Sequence, residues 1–206
     1  NIAVQGDQSF DGPDSVEPGH YYLGCDLGYA RDPSEFVVFR AHGPHLINVL
    51  RLHLAGVSYA RQQDMIRALN DAFDFRSIGI DCGNSGRAVA HNLMADGPEW
   101  CDRVQAFEFG ATLNLTPLPN GAPNRRRVKP FMTELLQRRM ADNTIVFPRL
   151  PDREEQYAAH TYSESTDGRL VYEKGNDHII DADRCAVLAH YLDTEEAFDH
   201  VDLGVR

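Results

Sequence analysis

Asp26, Asp81 and Asp181 stand in three contexts where a carboxylate could do chemistry. Asp26 closes the run His20-Tyr-Tyr-Leu-Gly-Cys-Asp26 and precedes Leu27-Gly28. Asp81 closes Ser77-Ile-Gly-Ile-Asp81 and precedes Cys82-Gly83-Asn84-Ser85-Gly86. Asp181 lies in Asn176-Asp-His178-Ile-Ile-Asp181-Ala-Asp183, near the start of a predicted helix. Two strand-end aspartates and one helical aspartate can converge at the edge of a sheet. Such like charges repel and raise one another's pKa. A divalent cation resolves the repulsion, and metal held by carboxylates beside phosphate performs nuclease or phosphotransfer chemistry.

His178 and Asp181 are three residues apart and share a face of a helix. Ile179, Ala182, Ala186 and Ala189 make a separate stripe that packs inward. His178 is expected as a metal ligand or as the group that orients one. Asp183 falls about 200° around the helix from Asp181 and faces elsewhere; it is an outlying ligand candidate. Asp26, Asp81, Asp181 and His178 together suit two Mg²⁺ or Mn²⁺ ions. Such ions, about 4 Å apart, activate water and stabilise the leaving oxygen of a cut phosphodiester. Gly24 and Gly28 are expected to leave room for a ligand beside Asp26. The turn Gly83–Gly86 could seat a phosphate at a helix N-terminus. The structural alternatives are a turn-initiating Asp26, a helix-capping Asp81 and a His178 that pairs with Asp177 or solvent.

The elements that must position these groups alternate in kind. Period-2 runs predict strands over His20–Asp26, Glu35–Ala41 and His45–Leu54, with Gly43-Pro44 as a hairpin turn. Ser58 caps a predicted helix Tyr59–Phe73, apolar at Met65, Ile66, Leu69 and Phe73. A buried strand Arg76–Asp81, a helix Ser85–Met94 and a strand Arg103–Phe109 follow. After the loop Asn120–Asn124 come a basic helix Arg127–Met140 and a strand Thr144–Phe147. Glu155–Ser163 and Arg169–Glu173, split by Thr166-Asp-Gly168, read as a β-hairpin, and Asp177–Tyr191 as the last helix. This order implies an α/β fold with a mixed central sheet flanked by helices, and with Asp on the first strand, on the fourth and on a late helix it resembles the ribonuclease H-like fold.

The chain has 206 residues and is 42% hydrophobic, enough for one sizeable domain. Residues 1–18 are rich in Gly, Pro, Asp and Ser and read as a linker, with residues 19–206 as the domain. The chain starts at Asn1 rather than Met and is expected to be a piece of something longer. No apolar stretch approaches the roughly 20 residues of a membrane span, so no membrane partner is expected. Cys25, Cys82, Cys101 and Cys185 form no CxxC pair and read as reduced thiols of an intracellular protein. The net charge of −11 opposes nucleic-acid binding by itself, but the charge is unevenly spread. Asn124–Arg139 carries six bases and one acid, whereas residues 176–206 carry eight acids and two bases. Arg125, Arg126, Arg127 and Lys129 are therefore expected to track DNA phosphates. Arg169 and Lys174 on the predicted hairpin are expected beside the cleft.

Three segments carry a family resemblance. They are Gly24-Cys-Asp26-Leu-Gly28…Asp32-Pro-Ser34, Ile80-Asp81-Cys-Gly83-Asn-Ser-Gly86 and His178-Ile-Ile-Asp181-Ala. In that order they resemble the nuclease domain of tailed-phage terminase large subunits, over about residues 20–192. The resemblance implies metal-dependent endonuclease action on concatemeric double-stranded phage DNA during head filling, in the host cytoplasm. It maps catalysis and metal binding onto Asp26, Asp81 and Asp181, with His178 joining the metal site as in some members. It further implies an N-terminal packaging ATPase domain, a portal and a small terminase subunit as partners. This sequence contains no GxxxxGK[ST] loop, which fits a nuclease domain apart from its motor.

Other readings stay open on sequence. A junction resolvase or transposase of the same superfamily would share the carboxylate trio. A non-catalytic DNA-docking module would not need it. An actin-like sugar kinase or ATPase also uses Asp-x-Gly loops, but normally in two duplicated domains.

Overall fold

The computed structural model describes residues 16–29, 32–83, 86–164, 170–172 and 175–194. The first strand, β1 (His20–Asp26), alternates its side chains between two cores. Tyr21, Leu23 and Cys25 enter one; Tyr22 enters the other, and Gly24 and Asp26 follow it on the same face. Beside β1 lie β2 (Ser34–His42) and β3 (His45–Leu54), joined by the predicted turn at Gly43-Pro44, where His42 pairs with His45. The helix α1 (Tyr59–Phe73) starts at Ser58, whose hydroxyl accepts from the Arg61 amide. It is followed by β4 (Ser77–Asp81), α2 (Gly86–Met94), α3 (Pro98–Arg103) and β5 (Val104–Phe107). Next come β6 (Thr112–Leu115), β7 (Asn124–Arg127), α4 (Val128–Ala141) and β8 (Ile145–Val146). The chain closes with α5 (Pro151–Ala159), β9 (Tyr162–Glu164), β10 (Leu170–Tyr172) and α6 (His178–Asp193).

The central sheet has the order β5-β4-β1-β2-β3-β8. Strands β1, β2 and β3 run antiparallel, while β1, β4 and β5 run parallel. This is the mixed, helix-flanked sheet of the ribonuclease H-like class expected from the order of elements. One face carries α1 and α2 over a core that includes Leu23, Ile66, Ile78, Ile80 and Leu93. The other face carries α4 and α6 over Tyr22, Val37, Phe39, Phe131 and Val187.

Helix α6 is buried on all sides from Ile179 to Ala189. Most of that stretch is apolar, and its charged members Asp181, Asp183 and Arg184 are paired, which lets the whole helix lie inside the protein. Its seat is two glycines in register on adjacent strands, Gly24 of β1 and Gly79 of β4. A Cβ on Gly24 would lie 2.1 Å from the Ala182 carbonyl oxygen, and one on Gly79 would lie 2.4 Å from that of Cys185. Gly24 therefore makes room for a helix backbone, not for the ligand expected there. Each glycine is followed two residues later by an aspartate on the same face, Asp26 and Asp81.

Two further expectations are corrected. Of the expected hairpin arm Glu155–Ser163, residues 155–159 belong to the helix Pro151–Ala159, and only the short pair β9–β10 remains of the hairpin. Pro151 at the first helical position and the acids Asp152 and Glu154 in the first turn are the helix-start signals. In a strand Gln156 would point away from Arg153 and Tyr157, whereas the helix brings all three to one inward side. Arg127, expected to open the basic helix, ends β7 together with Arg125 and Arg126, and the helix starts at Val128. The six-residue α3 and the β6–β7 ribbon were not foreseen.

Candidate active site

Asp26 and Asp81 end β1 and β4, neighbouring parallel strands, so both lie at the carboxyl edge of the sheet. Helix α6, lying across Gly24 and Gly79, starts over that edge and brings His178 and Asp181 to it. His178 Nδ1 lies 2.8 Å from Asp26 Oδ2. Burial pushes the Asp26 carboxyl up, the His178 contact pulls it down, and the Asp181 charge raises it again. His178 is itself raised, first by its bond to Asp26. Asp81 is pushed up to about 7, mainly by burial and then by the charges of Asp26 and Asp181. The Gly83 amide, 2.8 Å from Asp81 Oδ1, opposes that rise.

Asp181 is held from two sides by cations. The buried Arg184, one turn further along α6, donates Nη1 to Asp181 Oδ1. Lys129 Nζ, from the first turn of α4, lies 3.2 Å from Asp181 Oδ2 and 3.4 Å from Asp177 Oδ2. Arg184 also contacts His160, at the end of α5, with 2.6 Å between Nη2 and Nε2. Asp177, Lys129 and Arg184 are thus members of the site that sequence reasoning missed or assigned elsewhere. Asp177 was legible, because four residues separate it from Asp181 on the same helical side. Lys129 was expected on DNA phosphate, and no local pattern links it to residues about fifty positions away.

Asp183 does face away, as its angle around the helix predicts. It is fully buried and accepts from Arg153 Nη2 at 3.2 Å and from the Tyr157 hydroxyl at 2.9 Å. It fastens α6 to α5 and stands apart from the carboxylate edge. Burial pushes its pKa up to about 6 despite these donors.

The donor set, carboxylate oxygens with one imidazole, fits a hard divalent cation. Burial is the main reason Asp81 is raised to about 7, and the neighbouring charges of Asp26 and Asp181 add to it. Among the described residues, however, no three His, Cys, Asp or Glu side chains close around one point as a metal cage. Lys129, Arg184 and His178 engage the oxygens of Asp177, Asp181 and Asp26.

Two surfaces adjoin the cluster. A cleft of about 510 Å³ opens beside Asp81, lined by Cys82, Gly83, Arg87, Glu108, Phe109 and neighbours. The β6–β7 ribbon pairs Thr112 with Arg127 and Asn114 with Arg125, and all four side chains are exposed. Arg126 points to the other face, over the Phe131 ring and against Glu134. So Arg125 and Arg127 stand together, Arg126 does not join them, and Lys129 turns into the carboxylates. Arg169 and Lys174 lie outside the described residues. A larger cleft of about 810 Å³ sits at the far end of α6, around His190 and Tyr191, remote from the aspartates.

No protein-family profile and no curated protein sequence matches this chain. Solved structures do match. The large terminase nuclease from thermophilic phage G20c with bound magnesium aligns at a TM-score of 0.63 and 16% identity. That match covers 84% of this chain and 82% of the other. The large terminase nuclease domain of Thermus phage P74-26 aligns at 0.62 and 16% identity, over 88% and 84%. This chain has the terminase nuclease fold. The likeness extends to the large terminase from another thermophilic bacteriophage, at 0.59 and 15% identity. There it covers 84% of this chain but 40% of the other, so the terminase nuclease fold is one part of that larger protein. Within this fold the described residues contain no helix long and apolar enough to cross a membrane.

Proposed function

We propose that residues 19–206 are a metal-dependent endonuclease domain that cuts concatemeric double-stranded viral DNA during genome packaging. The observation that carries this reading is the meeting of Asp26 and Asp81, on adjacent parallel strand ends, with His178 and Asp181 on a helix seated in the Gly24–Gly79 groove. The G20c nuclease structures with bound magnesium and with bound cobalt support the use of a divalent cation. Asp26, Asp81 and Asp181 would hold two Mg²⁺ or Mn²⁺ ions, with His178 as a ligand or as the group orienting Asp26. When bound, such ions supply Lewis-acid stabilisation of phosphate charge and a more acidic water.

The chain's own residues do the rest. Arg125 and Arg127 offer two guanidinium groups to the DNA backbone, held at a fixed spacing by the ribbon. Arg184 keeps Asp181 in one orientation, so that the carboxylate need not reorganise when charge develops. The larger phage terminase, solved in complex with ATP-gamma-S, supports a packaging ATPase domain on the same polypeptide. A portal and a small terminase subunit would be the further partners, acting in the host cytoplasm.

The test is cleavage of supercoiled plasmid by the purified chain with Mg²⁺ or Mn²⁺, beside Asp81→Ala and a chelator control. Cutting that needs both the metal and Asp81 is the expected outcome. Cutting that persists in Asp81→Ala, or in chelator, would overturn the assignment.

A further inference from the structure

Among the described residues of the expected DNA-contact set, Lys129 is the one whose side-chain cation sits among the carboxylates. Its backbone fixes that placement. The Lys129 amide donates to the Phe109 carbonyl at 3.2 Å and the Val128 amide donates to that of Ala111 at 3.1 Å, which anchors the start of α4. The side chain passes over the Phe109 ring, with Nζ 5.0 Å from the centroid. It ends within reach of both Asp181 and Asp177, and its side chain is about one-fifth exposed.

We infer that Lys129 is a built-in counter-ion that competes with a divalent cation for Asp181 and Asp177. The inference rests on the metal-dependent reading above and deepens it. Like-charged carboxylates at a buried edge need positive charge nearby at all times, and an ammonium supplies it until metal arrives. A divalent ion binding the same oxygens gains their lone pairs only by displacing the lysine, and it meets the repulsion of that charge. Lys129 also directly follows the ribbon that carries Arg125 and Arg127, two residues after Arg127. A lysine released from Asp181 is then one more cation on the phosphate side of the cleft. In this account Lys129 is a positioning residue and it tunes metal affinity. A purely structural lysine would leave that affinity unchanged.

The experiment is a calorimetric Mn²⁺ titration of the whole chain as wild type, Lys129→Met and Lys129→Arg, with thermal unfolding of each with and without Mn²⁺. Met keeps the aliphatic stem over Phe109 and removes the charge; Arg keeps the charge. The expected result is Mn²⁺ binding on the order of tenfold tighter in Lys129→Met, with Lys129→Arg close to wild type. Lys129→Met should also melt lower than wild type without metal and recover with Mn²⁺. Equal or weaker Mn²⁺ binding by a folded Lys129→Met, in a wild type that does bind Mn²⁺, would overturn the inference and leave the nuclease reading standing. No Mn²⁺ binding by any of the three folded proteins would overturn the metal-dependent reading itself. Binding by Lys129→Met alone would support both.

Discussion

Replacing Gly24 by alanine tests whether the seat of α6 builds the site. The new methyl group would lie 2.1 Å from the Ala182 carbonyl oxygen, 2.7 Å from the Ala186 amide nitrogen and 2.8 Å from the Ala186 Cβ. Two of these three atoms are backbone, so no side-chain rotation relieves the clash. A normal contact requires α6 to rise from β1 by about 1 Å. Overpacking a close-packed core costs roughly 1–3 kcal/mol, and a rigid backbone obstacle puts Gly24→Ala near 3 kcal/mol. For a domain of this size that lowers Tm by roughly 6–12 °C. The same 1 Å lengthens the 2.8 Å contact between His178 and Asp26 beyond hydrogen-bond range. Misplacement on that scale costs about a hundredfold in cleavage rate. The assays are urea unfolding and plasmid cleavage, the latter run well below the variant's Tm so that unfolding does not mimic inactivity. Gly110→Ala is the control, since a Cβ there meets nothing within 4 Å. Wild-type stability and wild-type cleavage in Gly24→Ala would refute the claim that α6 lies against this glycine.

Three other outcomes are expected. Asp183→Ala leaves Arg153 buried without its carboxylate and should destabilise by about 3–5 kcal/mol in denaturant unfolding, with Asp183→Asn milder. His190 faces Arg139, Asp193 and the Tyr22 ring, and burial, then Arg139, lowers its pKa from 6.5 to about 4. The unfolded chain then takes up a proton that the folded chain refuses, so stability falls as pH drops from about 6.5 to 4, by on the order of 3 kcal/mol. Asp183, raised to about 6, contributes the opposite slope, so the comparison of wild type with His190→Gln carries the test; an identical pH slope in both would sink it. Arg125→Gln with Arg127→Gln should weaken binding of double-stranded DNA for all sequences alike and reduce the log–log salt slope by about 2; an unchanged slope would remove the ribbon from the interface.

Much of the fold was legible because its cues are local. The alternation in His20–Asp26 and His45–Leu54, the Gly43-Pro44 turn and the Ser58 cap each act within a few residues, and the elements appear where those cues put them. The aspartates were legible for the same reason: each ends an apolar strand or opens an apolar helix. The pattern Gly-x-Asp, repeated in Gly24-Cys-Asp26 and Gly79-Ile-Asp81, also lay in the sequence, though its meaning did not. A missing side chain says that something comes close, and only packing decides that the visitor is the backbone of α6. The helical state of residues 151–159 is likewise decided by packing, since a strand would hold Arg153 and Tyr157 about 13 Å apart, whereas a helix brings them to about 6 Å, close enough to share Asp183. The partners of Asp181 divide along the same line. Arg184 lies one turn away and is set by helix geometry, whereas Lys129 comes from a different helix. Short-range periodicity determines which element a residue joins, and the through-space meeting of elements distant in sequence determines which charge it answers to.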